Sequence, residues 1–187
     1  MFHVKHLLKE TLKFLNIPED TRKTEKFLLY FEELWRWNKK INMVSRKLKK
    51  DEVLSKLLLP SLLPYKTIKK KERVLDFGAG GGVASIPLKI FKPDIRLCLL
   101  EAKKKPVIFL EHINLLLDLD LSIIKKFVEK KEDIDERFDW IFVRAVNPED
   151  IPRGIYEKIL YYGEYAGDKF ICERKIKKGD NSLSVLT

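Results

Sequence analysis

Apolar residues recur at helical spacing over residues 2–15, at Val4, Leu7, Leu8, Leu12 and Leu15, and Asn16-Ile17-Pro18 supplies a stop, so a first helix is expected there. A second stripe of Phe27, Phe31, Leu34 and Trp35, with Tyr30 and Trp37 beside it, predicts a helix from Thr21 to about Asn38. Aromatic residues at this spacing read as a core-facing contact rather than as platforms for stacking bases. Asp51 is placed to cap a third helix running toward Leu63. The start of the chain, up to about residue 65, is therefore expected to be helical.

From Arg73 the pattern changes to short apolar runs alternating with helix-length segments: RVLDF, residues 83–91, IRLCLLE, residues 103–118, LSIIKKF and FDWIFVR. This is a βαβαβ order and predicts a parallel sheet. Continuous apolar strands such as the one at residues 96–100 fit a sheet covered on both faces, which gives an α/β, doubly wound, Rossmann-like fold carrying an N-terminal helical extension. Residues 148–160 read as another helix and KFICERKI as a late strand. The Lys-rich stretch 66–71 is the natural hinge, so the expected organisation is an extension at 1–70 and a ligand-binding sheet domain at 71–187.

Composition narrows the function classes. A chain of 187 residues with 45% hydrophobic and 35% charged positions is globular, and no apolar run approaches the roughly 18 residues of a membrane span. The amino terminus lacks the uninterrupted apolar centre of a secretory signal, so a cytoplasmic location and no membrane partner are expected. Cys98, Cys172 and the three histidines match no metal-ligand spacing, so no metal site is expected. A net charge of +10 favours a polyanionic partner, nucleic acid first, against the plainer reading of a basic surface that only confers solubility. A monomer is the expected state.

The segment VLDFGAGGGVASIP places Gly78, Gly80 and Gly82 where a strand must turn into a helix, so that backbone amides stand free beside a ligand. Asp76 lies two residues before the first glycine, and Glu101 follows the next strand, where a carboxylate accepts the hydroxyls of an unphosphorylated ribose. A dinucleotide fingerprint would need a third glycine where Val83 stands, and no phosphate-loop GK[ST] signature exists. The remaining pattern, an acidic strand end with G-x-G-x-G, favours S-adenosylmethionine; a purely structural turn is the alternative for the glycines alone.

These motifs resemble those of the bacterial small-subunit ribosomal RNA guanine-N7 methyltransferases, also called glucose-inhibited division protein B. The similarity begins at WNKKINMV and continues through LDFGAGGGVASIPLKI, LLEAKKKPVIFLE, the FVE at 127–129 and the VRAV at 143–146, in the family's order and spacing. It implies that the cofactor is held at Gly78, Val83, Val128 with Glu129, and Arg144, and that the partner is small-subunit ribosomal RNA. The chain departs from the family where F-P-G is Val83-Ala84-Ser85, where the Arg of R-A-E is Phe127, and where H-x-x-x-D-S carries Lys56 and Pro60. Its carboxy-terminal part is also short for the family's long final hairpin.

Guanine N7 offers a lone pair and has no proton to remove, so the reaction asks for positioning and water exclusion rather than for a catalytic base. Arg144, at the end of a strand, is the candidate for orienting cofactor or guanine O6, with a surface salt bridge as the alternative. Lys103, Lys104, Lys105, Lys125 and Lys126 are candidate phosphate contacts, or else solvated element ends. A basic RNA-binding module with a degenerate pocket and a small-molecule methyltransferase remain the other two classes.

Overall fold

The computed structural model describes residues 2–128, 133–163, 170–178 and 181–187. Helices α1 (Phe2–Leu15) and α2 (Thr21–Asn38) form where the apolar stripes place them. Asp20 caps α2, its side chain accepting the Lys23 amide at 3.0 Å. The third helix is less regular than expected. Its α-helical part α3 is only Lys50–Val53, capped at Lys49 rather than Asp51, and it continues as a wide π turn over Leu54–Leu58 and a 3-10 turn over Pro60–Lys66. Pro60 and Pro64 remove two donors, so the α-helical ladder cannot run on.

Beyond residue 72 come β1 (Arg73–Phe77), α4 (Ile86–Phe91), β2 (Arg96–Leu100), α5 (Lys104–Leu117), β3 (Ser122–Ile124) and β4 (Phe138–Val143). The chain ends in β5 (Tyr156–Tyr161), β6 (Cys172–Lys178) and β7 (Asn181–Leu186). The sheet order is β3-β2-β1-β4-β5-β7-β6, parallel through β5, with β7 antiparallel to both of its neighbours. The Rossmann-like α/β fold with its helical extension thus stands as expected.

Helices α1, α2, α4 and α5 share one core with one face of the sheet. Leu8, Leu12, Phe27, Phe31, Phe109 and Ile113 pack with Val74, Leu97, Leu99, Phe142 and Leu160. The other sheet face is a second core of Leu75, Cys98, Leu100, Ile141, Val143 and Ile159, covered by Val128, Ile151, Ile155 and partly buried Ile134, Val146 and Phe170.

One expectation is corrected here. Residues 148–160 are a 3-10 turn at Pro148–Asp150 followed by strand β5, not a helix. Ile151, Ile155 and Ile159 mimic helical spacing, but Pro152 lacks an amide donor and Gly154 sits at φ +88, a geometry helices exclude. The late strand expected at KFICERKI is β6, which forms a short antiparallel pair with β7, and Leu183 and Val185 enter the first core.

Candidate functional site

In this sheet the strand order reverses between β1 and β4, so a crevice for ligands lies at the carboxyl ends of those strands. Asp76 lies near the end of β1, the glycine loop follows it, Glu101 follows β2, and Arg144 follows β4. Three pieces of chain far apart in sequence therefore meet at the carboxyl ends of neighbouring strands.

Gly78, Gly80 and Gly82 all have positive φ, at 72°, 55° and 72°. The loop cannot be built from ordinary residues at these positions without left-handed strain. Close packing adds a second reason at Gly82, where a Cβ would come within 2.3 Å of Ile86 Cδ1. The amides do not stand free as expected. Gly78 and Ala79 both donate to the Leu100 carbonyl, at 3.0 and 2.9 Å, Gly82 donates to Ala79, and Gly80 donates to Glu101 Oε2 at 2.8 Å. The loop folds back onto the end of β2, and the glycines serve close approach rather than free donors.

Glu101 is buried and its two oxygens are each engaged once, Oε2 by Gly80 and Oε1 by the Lys103 amide at 2.8 Å. A carboxylate carries about four acceptor lone pairs, so two remain for hydroxyls of a ligand.

Asp76 is almost fully buried and accepts a 2.5 Å hydrogen bond from Ser85 Oγ. Burial, with a smaller push from Glu101, raises its carboxyl to about 7, while Ser85 and Arg144 oppose the rise. Asp76 thus fixes the far end of the glycine loop. Two tyrosines complete that support. Tyr30, wholly buried on α2, donates to the Gly81 carbonyl at 2.7 Å, and Tyr162, after β5, donates to Ala84 at 2.5 Å. Burial pushes both hydroxyls well above their ordinary range, so they stay protonated donors.

Arg144 lays its guanidinium over the Tyr162 ring, 5.1 Å from the centroid, and donates to the carbonyls of Leu57 at 2.9 Å and Lys56 at 2.6 Å. It is no surface salt bridge: among the described residues it has no ion-pair partner within reach. Burial pulls its pKa down, and Tyr162, Asp76 and Tyr30 pull it back up.

Gly78 is exposed and Val83 half-buried at the loop surface, beside Glu101 and Arg144. Val128, by contrast, is buried in the second core, and Glu129 lies outside the described residues. Sequence reasoning missed Tyr30, Tyr162 and Ser85 as loop supports. Tyr30 was legible only as one more aromatic in the α2 stripe. Among the described residues no cluster of His, Cys, Asp or Glu is arranged to hold a metal, and no helix is long and apolar enough to cross a membrane.

A parallel sheet with a switch point, a glycine loop and an acidic residue on the next strand defines a Rossmann-like nucleoside-cofactor fold. The family model described as GidB, rRNA small subunit methyltransferase G, matches residues 23–165, and the chain belongs to that family. It is similar to the ribosomal RNA small subunit methyltransferase G of Dictyoglomus thermophilum, 36% identical over 148 residues, covering 76% of this chain and 61% of that protein. The Aquifex aeolicus protein of the same name is 29% identical over 171 residues, covering 87% of this chain and 85% of that one. The chain thus spans about three fifths of the first relative's length.

Two solved structures share the fold. One is a SAM-dependent methyltransferase from Aquifex aeolicus, with a TM-score of 0.55 at 13% identity, covering 83% of this chain and 96% of that one. The other is a putative protein-L-isoaspartate O-methyltransferase from Plasmodium falciparum in complex with S-adenosyl-L-homocysteine, with a TM-score of 0.52 at 21% identity, covering 97% and 93%.

Proposed function

We propose that this chain transfers a methyl group from S-adenosylmethionine to guanine N7 in small-subunit ribosomal RNA. The observation that carries the reading is the Glu101 carboxylate, locked to Gly80 across the glycine loop with two acceptor sites left over. Membership in the small-subunit rRNA methyltransferase G family and the +10 charge support the acceptor class.

When bound, the cofactor supplies an electrophilic methyl on a sulfonium. Glu101 accepts the ribose hydroxyls, and Gly78 and Gly80 let the ligand lie against main chain. Val83 lines the loop side; Val128 and Glu129 are assigned to the cofactor on the family resemblance. Arg144 orients the reacting groups at the end of β4. The guanine N7 lone pair forms the new N–C bond as the C–S bond breaks, and no proton moves, so no side chain need act as a base.

In this reading residues 1–70 and 71–187 work as one unit, the helical extension shaping the entrance and the sheet domain holding the cofactor. Tyr30 and the Arg144 contacts to Lys56 and Leu57 are among the links between them, beside the shared core.

Calorimetric titration with S-adenosylmethionine and with S-adenosylhomocysteine tests the cofactor half directly. Saturable one-to-one binding is expected, and no heat at high protein concentration, with intact folding, would leave only an RNA-binding module.

A further inference from the structure

Between α2 and α3 the chain reads KKINMVSRKLKK, residues 39–50, with basic residues at half its positions and no acidic one. Lys39, Lys40, Arg46 and Lys47 are all exposed, and none is in an ion pair among the described residues. Lys50 differs, being paired with Glu32 at 2.6 Å.

Unlike a charged tail, this segment is pinned. The side-chain oxygen of buried Asn38 accepts the amides of Met43 at 2.9 Å and Val44 at 3.0 Å, and Val44 is itself buried. Met43 then sits against the glycine loop: its carbonyl is 3.8 Å from where Gly80 would carry a Cβ, and its own Cβ 3.4 Å from that point on Gly81. The four free cations are therefore held at a fixed offset from the cofactor loop. Beside them Trp35, Asn38, Lys39 and Arg46 line a recess of about 270 Å³, an aromatic wall flanked by two cations.

We propose that this segment grips single-stranded RNA beside the target nucleotide, Lys39, Arg46 and their neighbours holding phosphates while Trp35 offers a stacking face in the recess. The proposal rests on the methyltransferase reading for the identity of the RNA, but not for the grip itself. A base stacked on an aromatic ring with flanking cations on its phosphates is the general means of holding an unpaired strand without reading its sequence. Redirecting a free cation costs only side-chain entropy, whereas a paired one such as Lys50 would also have to give up a partner.

The test is fluorescence anisotropy with a short labelled single-stranded RNA over a range of potassium chloride. Wild type should show log affinity falling linearly with log salt. In Lys39→Gln/Arg46→Gln the slope should shallow by about 1.4, at roughly 0.7 per single-strand phosphate released. Trp35→Leu keeps an apolar body and should weaken binding about tenfold with the slope unchanged, because stacking releases no counterions. Lys5→Gln/Lys13→Gln on α1 makes the same charge change elsewhere and should leave the slope at the wild-type value.

Equal slopes in wild type and the Lys39/Arg46 variant would overturn the grip, as would double-stranded DNA binding as tightly as the single-stranded RNA. Titration of the same preparations with S-adenosylmethionine separates the two claims. Cofactor binding with an unchanged RNA slope removes the grip alone, and the predicted slopes without cofactor binding remove the enzymatic reading alone.

Discussion

Arg144 Nη2 donates to the main-chain carbonyl of Lys56 at 2.6 Å, joining the end of β4 to a turn 88 positions earlier in the chain. Pro60 explains why that carbonyl is available. In a continuing helix Lys56 would accept the amide four residues on, and Pro60 has none. Leu59 instead bonds back to Leu54 at 3.0 Å, the widened turn of the π segment, and Arg144 supplies the missing donor from outside.

Arg144→Ala should therefore lower the thermal midpoint by roughly 3–8 °C, because hydrogen bonds to a charged group are worth about 1.5–3 kcal/mol and these are partly open to solvent. Restoring the backbone donor should blunt the loss, so Arg144→Ala should cost less in a Pro60→Ala background than alone. A double-mutant cycle by calorimetric melting checks this. Additive losses would mean that the arginine and the proline are unrelated.

Asp76 carries a pH signature. Its carboxyl is raised from 3.8 to about 7, chiefly by burial, so between these values the folded protein holds a proton that the unfolded chain releases. Stability should fall as pH rises through about 4 to 7 and level off above. Glu33 works in the opposite sense, its carboxyl held low first by the Arg36 hydrogen bond, so its contribution is lost toward acid. The difference between wild type and Asp76→Asn cancels the Glu33 part. Urea unfolding across this range should show the wild type losing stability relative to Asp76→Asn as pH rises; parallel curves would contradict a buried, protonated Asp76.

Much of this arrangement was legible in the chain. The apolar stripes of α1 and α2 marked helices by their period, and the short continuous runs RVLDF, RLCLL and FDWIFV, alternating with helix-length segments, marked buried parallel strands. The spacing of Glu101 from the glycines placed both at the carboxyl ends of adjacent strands. What escaped was set by tertiary contacts. The Gly78, Ala79 and Gly80 amides are taken by Leu100 and Glu101, and the Tyr30, Tyr162 and Ser85 hydroxyls find their acceptors only after folding. Ile151, Ile155 and Ile159 simulated a helix because burial in the second core happens to recur every four residues there.

The proposed ribose contact of Glu101 and its bonds to the Gly80 and Lys103 amides should be separated by different substitutions. Glu101→Ala removes the acceptors of the Gly80 and Lys103 amides as well as the ribose contact, so both cofactor affinity and melting temperature should drop. Glu101→Gln keeps an acceptor oxygen but loses the charge, and should weaken S-adenosylmethionine about tenfold or more with a smaller change in melting, since charge-assisted bonds are worth about 1.5–3 kcal/mol. Calorimetric titration of both variants measures the split. Wild-type affinity in Glu101→Gln would remove Glu101 from the ribose site.

The glycines should also divide. Gly82→Ala meets Ile86 and Leu110 in the core and adopts a left-handed φ, so it should destabilise the fold outright. Gly78→Val places a branched side chain on the exposed ligand face at φ +72, with Val146 3.3 Å from its Cβ. It should abolish cofactor binding at a smaller cost in stability. Thermal melts and cofactor titration, run together, distinguish the two; normal cofactor affinity in Gly78→Val would reduce the loop to a structural turn.

The central claim is the acceptor atom, and it is tested by incubating the protein with S-adenosylmethionine and small-subunit ribosomal RNA, then digesting the RNA to nucleosides for mass spectrometry. The expected product is 7-methylguanosine, at a site where borohydride and aniline cleave the chain, with turnover cut by Arg144→Ala. Methyl found on adenine N6, on ribose or on a small metabolite, or transferred at the wild-type rate by Arg144→Ala, would contradict the account.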